Sequence, residues 1–143
     1  MRSPGQFDVN PYSRRTEKPW GYEVGWTPDS KPYVGKLIHI DAGARLSLQV
    51  HDQKSESWYL VSGRAKVIWE REHDGTLFET ELEPSAGYSC EAGQRHRLFG
   101  ITACDIIEVS TPEVGNTLRL EDDYNRGDER LGEQPSGEGL LSA

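Results

Sequence analysis

The stretch Gly43-Ala-Arg-Leu-Ser-Leu-Gln49-Val-His51-Asp-Gln-Lys-Ser-Glu56-Ser-Trp-Tyr-Leu-Val-Ser-Gly63 decides how the chain is read. On a strand, side chains two apart share a face, so Gln49 and His51 project together. Four residues of turn separate His51 from Glu56, which opens the next strand. An antiparallel neighbour can then bring Glu56 beside the pair. A second imidazole, His96, follows a turn in Ala92-Gly93-Gln-Arg-His96-Arg97. Two neutral imidazoles, a carboxylate and an amide oxygen form a ligand set for a borderline divalent metal. Gln49, His51, Glu56 and His96 are therefore the candidate ligands of one divalent ion per chain. Zinc is the expected ion, with manganese, cobalt, nickel and iron as alternatives.

Outward from this stretch, helical periodicity is missing and short β-rich segments recur between Gly, Pro, Asp and Ser. Expected strands are Gly21–Trp26, Tyr33–Ile40, Arg45–Val50, Ser57–Val61, Ala65–Glu70, Leu77–Leu82, Gly87–Glu91, His96–Gly100 and Asp105–Ser110. One hairpin is expected around Ser62-Gly63-Arg64 and another around Asp74-Gly75. Many short strands at even spacing imply an all-β sandwich or barrel.

The 143 residues fit one domain. No run approaches the about 20 apolar residues of a spanning helix. The N-terminal stretch lacks the apolar centre of a signal peptide, so a cytoplasmic protein is expected. Residues 121–143 hold seven acids against two bases, leaving −3 of the total −8 to residues 1–120. An acidic chain argues against a nucleic-acid partner, yet a pocket within it can still be locally basic. Cys90 and Cys104 read as two small buried strand residues, with a disulfide between them the open alternative. Residues 1–17 are polar and read as an N-terminal arm, loose or packed on a partner subunit. Residues 127–143 read as a flexible acidic tail.

The central stretch resembles the first cupin motif, with Gln49 in place of its first His. Pro84–Gly100 resembles the second, with Ala92-Gly93 and His96 intact. Ser85 stands there for a Gly and Glu91 for a Pro. Pro19-Trp20-Gly21, Ser55-Glu56-x-Trp58, His96-Arg97, Ile106-Ile-Glu-Val109 and Arg119-x-Glu121-Asp-Asp-Tyr-x-Arg126 extend the resemblance. It narrows to the cupin domain of type II mannose-6-phosphate isomerases, across residues 18–126. The resemblance implies a single cupin domain, a double-stranded β-helix or jelly-roll barrel. It also implies a stand-alone version of a domain that elsewhere follows a guanylyltransferase.

The resemblance implies roles for further residues. Lys36 is expected to face the pocket, against the alternative of a solvated outer-face lysine. Arg126 is expected to reach the site and assist catalysis, against a surface ion pair with its acidic neighbours. Arg45 and Arg97 are candidates for a substrate phosphate, because a guanidinium fork suits phosphate oxygens. Trp58, beside Glu56, is the tryptophan best placed to touch a sugar. His39 and His73 are expected to be packed or solvated rather than ligands. Asp52, Gln53 and Ser57 replace histidines usual in the family. The implied function is interconversion of mannose 6-phosphate and fructose 6-phosphate or a related sugar, in a homodimer. Other readings are another metal-cupin enzyme (epimerase, cyclase or dioxygenase) and a non-catalytic sugar-binding module.

Overall fold

The computed structural model describes Gly5, residues 7–112 and 116–124, and the backbone of 129–130. Every regular element among the described residues is a strand. In chain order these are β1 (Arg14–Lys18), β2 (Gly21–Gly25), β3 (Val34–Ile40), β4 (Leu48–His51), β5 (Glu56–Ser62), β6 (Ala65–Glu70), β7 (Leu77–Glu81), β8 (Gly87–Cys90), β9 (His96–Gly100), β10 (Cys104–Ser110), β11 (Asn116–Glu121) and β12 (Glu129–Arg130). They form two antiparallel six-stranded sheets. One runs β1-β2-β3-β10-β5-β8 and the other β12-β11-β4-β9-β6-β7. This is the cupin jelly-roll barrel implied by the motifs. Among the described residues there is no helix long and apolar enough to cross a membrane.

The nine expected segments fall on β2 to β10. The Asp74-Gly75 loop closes the β6–β7 hairpin as expected, with Gly75 at φ 86°. The other expected hairpin is not one. β5 pairs with β10 and β8, whereas β6 pairs with β9 and β7. Ser62-Gly63-Arg64 therefore carries the chain from one sheet to the other. Gly63 makes that crossing at φ 78°, and a Cβ there would stand 2.2 Å from the Ala103 carbonyl oxygen. Only a residue without a side chain fits so close a turn.

Inward positions follow the two-residue strand period. On β3 they are Lys36, Ile38 and Ile40; on β10, Cys104, Ile106, Glu108 and Ser110; on β5, Glu56, Trp58 and Leu60. The register aligns Ile38 with Ile106 and Ile106 with Leu60. One end of the barrel is thus filled by Ile38, Ile40, Leu60, Ala65, Leu98 and Ile106. Toward the other end the inward positions become polar: Lys36 opposite Glu108, and Ser110 opposite Glu56. The apolar end supplies the burial that holds the sheets together, and the polar end positions the chemistry. Cys90 and Cys104 are both buried and free.

Candidate metal centre

His51 ends β4, Glu56 opens β5 and His96 opens β9, so three strand ends meet at the polar end. Gln49 lies opposite His96 in the β4–β9 register and is 2% exposed. One ligand atom from each of His51, Glu56 and His96 lies within 4.8 Å of the others. Glu56 Oε1 is 2.8 Å from His96 Nε2 and 3.8 Å from His51 Nε2.

The outer nitrogens of both imidazoles are fixed. His51 Nδ1 is 2.8 Å from Thr117 Oγ1 on β11. His96 Nδ1 donates to the Gln94 carbonyl oxygen at 2.9 Å, with Cys90 Sγ 3.2 Å away. Such outer partners select the ring tautomer and aim Nε2 at a common point. Two imidazole nitrogens and a carboxylate oxygen converging there suit a borderline divalent ion.

The electrostatics agree. Burial works against ionising Glu56. Lys54, the His96 hydrogen bond and the charges of His96 and His51 outweigh it and hold the carboxyl well below the usual range. Burial likewise opposes charging His96, but hydrogen bonds to Cys90 and Glu56 push it up to about 10. This shift favours a protonated His96, and a divalent ion binding at Nε2 would have to displace that proton.

Beyond His51, Glu56 and His96 lies a row of buried charges, of which Lys54 and Glu108 are absent from the sequence-based site. Lys54 Nζ stands 3.2 Å from Glu56 Oε2 and 3.6 Å from Glu108 Oε2. Trp58 donates its indole N–H to Glu108 Oε1 at 3.2 Å. Lys36 faces inward as the resemblance implies, in register with Glu108 and 3.5 Å from Glu23 Oε1. Burial and the Glu56 charge push Glu108 up to about 7, against the pull of Lys54 and Lys36. Burying such ions costs several kcal/mol each. A barrel needing only stability would fill these positions with apolar side chains. Sequence signals for them existed. Glu108 shares the parity of Ile106, and Lys54 lies two residues before Glu56.

The structure gives Arg45 and Arg97 other partners. Arg45 forks onto Asp123 at 2.8 and 3.0 Å. Arg97 donates to the Leu46 carbonyl oxygen and, at 2.7 Å, to Glu121 Oε1. Arg97 neighbours the inward His96 and so takes the opposite strand face. Together the two arginines clamp the chain after β11 onto the barrel. Trp58 is buried, its ring 5.5 Å from His96. With Trp69, Tyr88, Cys90, Gln94 and His96 it lines a cavity of about 320 Å³. Arg126 lies outside the described residues. His39 stacks on Tyr22 and bonds Asp105, and His73 is exposed in its loop.

Comparison with known proteins adds the family. The family described as mannose-6-phosphate isomerase C-terminal matches residues 8–129. The xanthan biosynthesis protein XanB of Xanthomonas campestris pv. campestris is 30% identical over 131 residues, covering 88% of this chain and 26% of XanB. The alginate biosynthesis protein AlgA of Pseudomonas aeruginosa is 34% identical over 118 residues, covering 76% and 22%. Mannose-1-phosphate guanylyltransferase 2 of Escherichia coli O157:H7 is 34% identical over 119 residues, covering 82% and 22%. The chain thus spans about a quarter of the length of these relatives. Among solved structures, an oxalate decarboxylase of Bacillus subtilis studied for its Mn(II) centres superposes with TM-score 0.66 at 18% identity. That match covers 82% of this chain and 34% of the decarboxylase, a likeness of fold.

Proposed function

Because the chain belongs to the mannose-6-phosphate isomerase C-terminal family, we propose that it is a metal-dependent aldose–ketose isomerase. Its substrates would be mannose 6-phosphate and fructose 6-phosphate, or a closely related sugar. The observation that carries this is the convergence of His51, Glu56 and His96 within 4.8 Å at the polar end of the barrel. Gln49, opposite His96, would complete the ligand set. Zinc suits these donors, and manganese is the principal alternative, since the oxalate decarboxylase of like fold holds Mn(II). When bound, the ion supplies Lewis acidity toward the sugar oxygens.

The protein's own groups do the rest. Lys36, inward and 9% exposed, is the cation for the negative oxygen of an enediolate. Arg126 is a second candidate for that task. Trp58 closes the site beside His96 and excludes water from it. Arg45 and Arg97, already joined to carboxylates, would serve substrate binding by holding residues 121–123 in place. The proposal includes a cytoplasmic location and a homodimer.

The test is elemental analysis of the purified protein beside a Gln49→Ala, His51→Ala double variant, then isomerase assays with the metal found. About one ion per chain, lost in the variant, together with conversion of mannose 6-phosphate, is the expected result. A protein loaded with each candidate ion that converts no phosphorylated or free aldose would overturn the proposal.

A further inference from the structure

We propose that Glu108 is the proton-carrying residue of the isomerisation, taking hydrogen from C2 of an open-chain aldose and returning it to C1. The inference rests on the isomerase reading above and adds the base that reading lacks.

Among the described residues, Glu56 on β5 and Glu108 on β10 are buried carboxylates at inward positions of the polar end, and their oxygens are employed differently. Glu56 has both engaged, Oε1 with His96 at 2.8 Å and Oε2 with Lys54 at 3.2 Å. Glu108 has one oxygen anchored by the Trp58 indole at 3.2 Å, which sets the plane of the carboxylate. Its other oxygen, Oε2, accepts no hydrogen bond among the described residues, and the Lys54 ammonium stands 3.6 Å from it. A base needs an oriented lone pair that no donor occupies. Glu108 Oε2 meets that condition and Glu56 does not.

The surroundings fit the task. Glu108 lies in the middle of β10, hydrogen-bonded to β3 on one side and β5 on the other, so its backbone is held from both edges. Lys54 links it to Glu56, which places it next to the candidate metal ligands without making it one. Lys36 lies across from it on β3. A carbon acid held against Glu108 Oε2 would therefore meet a base, with Lys54 and Lys36 as cations for its oxygens.

The step balances within these groups. The Glu108 carboxylate takes the C2 proton. The C2–H electron pair becomes the C1=C2 bond, and the carbonyl π pair moves onto O1. Glu108, now a carboxylic acid, returns the proton to C1. The Lys36 ammonium gives a proton to O1 and recovers one from O2 as the C2=O bond forms. No oxidant or further reactant is required.

The experiment is turnover of mannose 6-phosphate in D2O by the metal-loaded protein and by Glu108→Gln and Glu108→Asp, with deuterium at C1 and C2 read by NMR. Both variants are compared at equal metal content and with cooperative melting. Glu108→Gln keeps an oxygen acceptor for Trp58, and Glu108→Asp keeps the charge that offsets Lys54 and Lys36. Wild type is expected to place solvent deuterium in its product. Glu108→Gln should lose at least about 100-fold in both turnover and exchange. Glu108→Asp should retain exchange with a reduced kcat and a KM near that of wild type. Glu108→Gln within about tenfold of wild type, still exchanging deuterium, would overturn the inference and leave the isomerase reading standing. A wild type that converts nothing removes the reading itself, and the inference with it.

Discussion

Lys54 Nζ lies 3.2 Å from Glu56 Oε2, and each side chain is only 4% exposed. The pair is sealed from water at the edge of the candidate metal centre. Removing one member of such a pair leaves a buried charge without its counter-ion. Lys54→Met is expected to destabilise the metal-free protein by about 3 kcal/mol. The loss should shrink when metal is present, because the ion then offsets the Glu56 charge. Urea denaturation with and without metal checks this, and equal losses in both states would contradict it.

Thr117 holds His51 by its outer nitrogen at 2.8 Å. Thr117→Val keeps the shape and removes the hydroxyl. Metal affinity is expected to fall about 10-fold or more, with little change in fold stability. Competition against a chromophoric chelator measures the change. Unaltered affinity would mean that His51 is oriented by packing alone.

Ser85 occupies the left-handed region at φ 65°, at the position where the cupin motif carries glycine. It is exposed, so its side chain contributes little packing that could compensate. Ser85→Gly should raise stability by about 1 kcal/mol, while Ser85→Ala should not. Equal melting temperatures for all three proteins would show that the turn relaxes at no cost.

The pH dependence of the metal-free protein has a defined sign. His96 is raised from 6.5 to about 10 and Glu108 from 4.5 to about 7. A raised folded value contributes stability that is complete below the unfolded value and is lost as pH climbs through the folded one. In a chelator, the melting temperature should therefore decline from about pH 5 to about pH 10. Glu56, shifted downward, acts only at pH values below this window. Thermal melts across that range decide it, and a melting temperature that climbs would refute the assignment.

The meeting of His51, Glu56 and His96 was legible because it follows strand parity and turn length. Gln49 and His51 are two apart, Glu56 opens the next strand, and His96 follows a glycine turn. Lys54 and Glu108 were harder to place for a physical reason. A lysine in a turn and a glutamate in a strand are ordinarily solvated, and only the three-dimensional register shows both turned inward. β11 escaped notice because its polarity is inverted. Leu118 and Leu120 face out, while Thr117 faces the polar end of the barrel. β1 reads RRTEK, with no apolar residue to mark it. The mistaken hairpin at Gly63 has a similar origin. The turn residues specify a reversal, but the sheet that receives the next strand depends on β9, more than 25 residues further along.

The division of the barrel into an apolar end and a charged end has a consequence for motion. Local opening is easiest where apolar contacts are fewest. Amides around His51, Glu56 and His96 should exchange with solvent faster than those around Ile40, Leu60 and Ile106. An ion that binds only the closed form would slow exchange at the first group far more than at the second. Ligation and breathing would then belong to one end of the molecule, with the other acting as a nearly rigid base.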